Sequence, residues 1–150
     1  MTSKIKNFII KNKEHSTAIV RIGLALVILW FGINQAIDPN SFLGYLPPWA
    51  MPHPADIMHF PPIHIMHNSS IQTTAIIMTN GIFEIILGLL LLLGFYTRIV
   101  AFVIALHLLS ITLTLGYNDV AIRDFGLTIM AVSLIFSGAG PISIDNKKKE

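Results

Sequence analysis

The chain has 150 residues, 53% of them hydrophobic and 12% charged, with a formal net charge of +2. A soluble domain carries about 25% charged residues, so lipid is the expected solvent, and the apolar spans leave no room within this length for a soluble catalytic domain. Cysteine is absent, which excludes disulfides, thiolate metal sites, iron–sulfur ligation and a CxxC redox centre.

Residues 1–16 are basic and polar, with Ile5, Phe8 and Ile9 at i, i+3, i+4 spacing. That pattern suits either a short interfacial helix beside anionic headgroups or a solvated basic tail. Residues 17–36 make the first span. A basic stretch before an apolar core has the outline of a signal peptide, but no small-x-small cleavage site follows, so the segment is expected to be retained. Residues 37–70 hold seven of the eight prolines and four of the six histidines, with no Lys or Arg. Proline at this density does not sit in a helix interior, so an irregular extramembrane loop is expected, its aromatics Phe42, Tyr45, Trp49 and Phe60 packed near the bundle mouth or the headgroups.

The second span covers about 71–95, the third about 99–115 after Tyr96-Thr97-Arg98, and the fourth about 120–137 after Gly116-Tyr117-Asn118-Asp119. The chain therefore reads as one domain over 1–150, an all-α membrane protein with a bundle of four transmembrane helices. Its sequence pI of 9.1 comes mainly from two short basic ends, Lys4, Lys6, Lys11 and Lys13 at one and Lys147, Lys148 and Lys149 at the other. These are a topological signal rather than a nucleic-acid stripe. Arg98 lies in the second connection, and the first and third connections carry no Lys or Arg. Cytoplasmic loops collect these residues, so both termini and Arg98 are expected inside and the histidine-rich loop outside.

Intramembrane ionisable residues are functional candidates by default. Glu84 sits in the middle of the second span. Asn80, Glu84 and Gly88 share a face at i, i+4, i+8, with Gly81 beside them, and glycine permits close helix contact. Eight Leu or Ile between Ile85 and Leu93, each contributing roughly −0.3 to −0.6 kcal/mol to insertion, offset the cost of about +3 kcal/mol for a central charge. Depth selects a partner. Glu84 lies roughly 15 Å from the inner end of its span, and His107 on the third span lies nine residues from Arg98, at a similar depth. Pairing of Glu84 with His107 is expected, with Arg123 reaching from above. The competing reading is a protonated Glu84 bonded to Asn80 or a backbone carbonyl, holding the bundle together. Arg21 reads as an interface residue whose side chain snorkels toward the inner surface. Arg123 and Asp124 are adjacent and face about 100° apart on a helix, one toward the bundle and the other toward the mouth.

Met51, His53, Met58, His59, His64, Met66 and His67 crowd the loop. His64 and His67, at i, i+3, could share a metal on helical backbone, with His59 closing the set. Imidazole with thioether suits copper, and imidazole alone suits zinc. The competing reading is a lid of aromatic, Met and His side chains.

The chain resembles the DoxX family of membrane proteins. The matching pieces are Arg21-Ile-Gly-Leu24 leading to Trp30-Phe31-Gly32, Asp38-Pro39, and Gly44-Tyr-Leu-Pro-Pro-Trp49. They continue with Gly81-x-x-Glu84-x-x-x-Gly88, Gly94-x-x-Thr97-Arg98, Arg123-Asp124-x-Gly126-Leu127 and Gly138-Ala-Gly-Pro141-x-Ser143-x-Asp145. The resemblance implies a four-helix bundle in a prokaryotic cytoplasmic membrane, and an intramembrane set at Arg21, Glu84, Arg123 and Asp124. It implies a tie to quinone-linked sulfur and respiratory oxidoreductases, with quinone as the associated cofactor. Gln35 stands where many relatives have lysine. Three readings of function follow. One is a small subunit of a quinone-linked membrane redox complex, with no independent catalysis and a cavity around Glu84 and Arg123 for the quinone headgroup. The second is a structural or assembly protein packed against a larger membrane partner or a second copy. The third is copper or zinc handling by the outer loop.

Overall fold

The computed structural model describes Ile5, residues 13–46 and residues 64–147, with side chains from His15 to Leu46 and from Thr73 to Lys147. The elements in order are α1 (Lys13–Ile37), a short 3-10 helix (Pro39–Tyr45), α2 (His64–Leu93), α3 (Thr97–Leu115), α4 (Asp119–Ser137) and a single turn, α5 (Ile144–Lys147). Four stretches are long and apolar enough to cross a membrane: His15–Ile37, Thr73–Leu93, Thr97–Leu115 and Asp119–Ser137, of 23, 21, 19 and 19 residues. At 1.5 Å per residue they run roughly 28–35 Å, the depth of a bilayer's hydrocarbon. The all-α, four-span expectation holds.

Helix ends follow local chemistry. α1 stops where Asp38-Pro39 follows, since proline disfavours helical backbone before it. α2 ends at Gly94, which takes φ +67, while Gly94 N donates to the Leu91 carbonyl and Phe95 N to that of Leu90, both at 3.0 Å. These are the paired bonds of a Schellman cap. The span expected to run to residue 95 therefore closes at Leu93. At the start of α4, Asn118 is the N-cap and its side-chain oxygen accepts from Ala121 N at 2.8 Å, as short polar residues do at that position.

One boundary differs in kind. Residues 64–70, expected as irregular loop, are the first two turns of α2. The prolines that argue for a loop end at Pro62, and no further proline occurs before Pro141, so nothing in the sequence bars a helix from His64 onward.

The chain divides into two compact units, Met1–Ile28 with Ile86–Glu150, and Leu29–Ile85. In the first, Leu24, Ala25, Ile28, Leu87, Leu91, Val100, Ala101, Ile104, Ala105, Leu108, Ala131 and Leu134 form the buried cluster. α3 and α4 lie side by side, and alanines at 101, 105 and 131 let backbones come close. The opposite faces carry exposed apolar side chains, among them Phe102, Leu106 and Leu113 on α3 and Ile122, Phe125, Ile129 and Phe136 on α4. Hydrocarbon solvates such faces without penalty, whereas water would not.

The second unit contains the C-terminal part of α1 from Leu29, the 3-10 helix and most of α2. Here two backbones touch. A Cβ placed on Gly32 would lie 2.7 Å from the Gly81 carbonyl oxygen, and one on Gly81 would lie 2.7 Å from that of Gly32. Gly81 also approaches Ala36, and Gly32 approaches Ile85, so the two helices run antiparallel through this crossing.

Candidate functional site

The crossing builds a polar site in the second unit. The Gln35 Cβ sits over Gly81 and the Glu84 Cβ over Gly32, at 2.8 and 3.0 Å from the positions a glycine Cβ would take. Each glycine thus makes room for the long polar side chain of the other helix. Gln35 Nε2 donates to Glu84 Oε2 at 3.1 Å. Asn80 Nδ2 donates to Gln35 Oε1 at 2.8 Å and to Glu84 Oε1 at 3.0 Å. The result is a closed ring of three side chains in which both carboxyl oxygens accept from amides. Glu84 is 5% exposed and Gln35 8%, so the site is shielded from lipid as an intramembrane carboxyl requires.

The bond between Asn80 and Glu84 follows the i, i+4 spacing read from the sequence. Gln35 as their partner does not, because it stands 49 positions away from Glu84. A signal for it existed: Gly32-x-x-Gln35 and Gly81-x-x-Glu84 repeat one glycine-to-polar spacing, which antiparallel packing brings together. The expected pairing of Glu84 with His107 joins residues assigned to different units and stays a proposal. His107 is half-buried on α3, and its carbonyl accepts from the Ser110 hydroxyl at 2.7 Å.

Arg21 corrects the snorkelling expectation. It is 1% exposed, and its guanidinium is spent on backbone carbonyls. Nε donates to Ala139 O at 3.0 Å, Nη1 to Leu91 O at 2.8 Å and to Leu92 O, and Nη2 to Ile142 O. Leu91 and Leu92 belong to the last turn of α2, whose carbonyls have no intrahelical partner and carry the negative end of the helix dipole. Arg21 neutralises that end and ties it to the segment after α4. Gly94 makes the approach feasible, since a Cβ there would meet Arg21 Nη1 at 2.9 Å and the Ser143 Cβ at 2.5 Å. The planar five-donor fork of arginine is what reaches four carbonyls at once.

Asp145 performs a related task that sequence reading missed. Its Oδ1 accepts from Tyr96 N at 2.9 Å and its Oδ2 from Thr97 N at 2.8 Å, capping α3 from 48 residues away. Tyr96, at φ 48, holds left-handed backbone without a glycine, and its own side chain offers no cap. A carboxylate against the first amides of a helix is favourable both as a cap and toward the dipole.

Arg123 and Asp124 do meet. Arg123 Nη2 lies 2.7 Å from Asp124 Oδ1, with Arg123 37% and Asp124 5% exposed at the side chain, so the aspartate is the one that turns inward and the arginine bends across to it. This pair occupies the first turns of α4, while Arg21 meets the chain beyond its last turn. Fourteen residues, roughly 20 Å, separate Arg123 from Ser137 at the end of α4. Within this unit Arg123 and Asp124 therefore lie at the opposite end of α4 from the segment that Arg21 meets.

Of the candidate metal ligands, His59 lies outside the described residues. His64 and His67 begin α2 on helical backbone, as sharing a metal at i, i+3 requires, and their side chains lie outside the described set. Among the described residues no three His, Asp or Glu side chains gather into a metal-sized group.

Compared with known families, residues 16–149 match the model described as TQO small subunit DoxD. No curated protein and no solved structure matches the chain.

Proposed function

The chain belongs to the family of the TQO small subunit DoxD, and we propose on that footing that it is the small, non-catalytic membrane subunit of a quinone-linked redox complex. The DoxX resemblance read from the sequence is thereby sharpened to a neighbouring family name. The chain is a four-helix, multi-pass membrane protein. The proposal adds its setting, the prokaryotic cytoplasmic membrane with both termini inside, and a larger redox partner in the same bilayer.

The observation that carries the reading is the buried ring of Glu84, Gln35 and Asn80. A carboxyl inside a span is costly and marks proton or ligand pathways. Gln35 Nε2 has a second N–H beyond the one given to Glu84, which is the donor a quinone carbonyl needs, and Glu84 can take up or release the proton that quinone reduction moves. His107, Arg123 and Asp124 are proposed to serve the same proton or quinone path. Without cysteine, the chain has no thiolate ligands for an iron–sulfur centre, so in this reading the subunit contributes binding and proton handling while the partner supplies the electron-transfer centre.

A second reading, structural or assembly, is favoured by the same ring, because its three members already satisfy one another and the glycine crossing fastens two helices. Affinity purification from native membranes in mild detergent, with mass spectrometry of co-purified proteins and lipids, separates the two. A redox protein and quinone in stoichiometric amounts support the first reading. A bundle that purifies alone supports the second.

A further inference from the structure

We propose that the cleft at the connection between α2 and α3 is a binding site for the phosphodiester headgroup of an anionic phospholipid. The cleft has a volume of about 650 Å³, and Thr17, Thr97, Arg98, Gly138, Pro141 and Asp145 are among its lining residues. It lies within the first unit and is separate from the ring around Glu84.

Two observations point to an oxyanion. Arg98 is exposed, and among the described residues it makes no hydrogen bond or ion pair. Its guanidinium lies across Gly138, where a Cβ would come within 3.5 Å of Nε. Asp145, which also lines the cleft, directs its two oxygens to the amides of Tyr96 and Thr97. Independently, Thr97 is 1% exposed and its hydroxyl has no hydrogen-bond partner among the described residues. A buried hydroxyl left unsatisfied is costly, and this one belongs to the lining of the cleft that holds the unpaired arginine. A phosphate oxygen would accept from both.

Charge and depth select the source. Among the described residues, the cations Arg21, Arg98 and Lys147 at this end of the unit outnumber the carboxylate of Asp145, so a bound anion meets a positive field. Only Gly94, Phe95 and Tyr96 separate α2 from α3, so the cleft lies where two spans turn, at headgroup depth. Tyr96 stands exposed beside it, as aromatic residues do at membrane interfaces. Basic pockets between helix ends on the cytoplasmic side are suited to anionic lipid headgroups.

Native mass spectrometry of the detergent-purified full chain, titrated with phosphatidylglycerol and phosphatidylcholine, tests this. The wild type should prefer phosphatidylglycerol. Arg98→Ala should weaken that preference roughly fivefold, while Lys147→Ala, a charge of equal sign outside the cleft, should change it by less than about twofold. Thr97→Val should weaken phosphatidylglycerol binding without lowering the thermal midpoint in lipid-free detergent, since the hydroxyl gives up no internal bond. An unchanged preference in Arg98→Ala, or an equal loss in Lys147→Ala, would overturn the site. Inorganic phosphate raising the thermal midpoint as much as phosphatidylglycerol would assign the cleft to a free oxyanion and overturn the lipid.

Discussion

Gln35 Nε2 donates to Glu84 Oε2 at 3.1 Å, across two antiparallel helices whose backbones meet at Gly32 and Gly81. The glycines set the distance and the polar side chains use it. If the ring acts as a unit, Gln35→Ala and Glu84→Ala each lower stability, and the double variant loses less than the sum. A coupling of about 0.5–3 kcal/mol is expected for groups in one network, read from denaturant unfolding in detergent. Strict additivity would mean that the bond contributes nothing.

Gly32→Ala and Gly81→Ala should each cost about 1–3 kcal/mol, the usual range for overpacking, because the added methyl lands 2.7 Å from a carbonyl oxygen. Gly23→Ala provides the control. It lies on the same helix with nothing within 4 Å of the new Cβ, and should be neutral or more stable by up to about 1 kcal/mol through helix propensity. Equal effects at Gly23 and Gly32 would contradict the close crossing.

Arg21→Ala should lower stability by at least about 3 kcal/mol, since hydrogen bonds from a charged group contribute roughly 1.5–3 kcal/mol each and four carbonyls lose a charged donor. Arg21→Lys keeps the charge but not the fork, and should recover only part of the loss in thermal midpoint. Full rescue by lysine would show that charge, not geometry, holds α2 to the chain after α4.

Asp145→Ala should uncap α3, with a cost of about 0.5–2 kcal/mol. Hydrogen exchange localises the effect. The amides of Tyr96 and Thr97 should exchange faster, while those in the middle of α3 keep their protection. Unchanged exchange at Thr97 would rule out the cap.

The spans were legible because a bilayer imposes one requirement, about 20 apolar residues, which neighbours cannot alter. Asn80 beside Glu84 was legible for a similar reason, since i, i+4 spacing is fixed by the helix itself. Gln35, Asp145 and the carbonyls around Arg21 were not. Each acts on residues at least 45 positions away, and only packing decides such pairs. The snorkelling expectation for Arg21 failed on the same ground, because a terminal cation leans to water only where no carbonyls are nearer. Residues 64–70 were misread because proline density was carried past Pro62, the last proline able to enforce it.

The central claim is that the carboxyl of Glu84 belongs to a quinone site shared with a redox partner. The most direct measurement is the quinone bound per chain after purification in mild detergent, for the wild type and for Glu84→Gln, with thermal midpoints recorded alongside. Glutamine keeps the size and one acceptor oxygen but sets an amide N–H against one of the two donors, so the fold should remain with a lowered thermal midpoint while the proton-exchanging group is lost. The account predicts stoichiometric quinone in the wild type and several-fold less in Glu84→Gln, measured at a temperature where both remain folded. Equal quinone in both, or none in either, would contradict it and leave the ring as a fastening between helices.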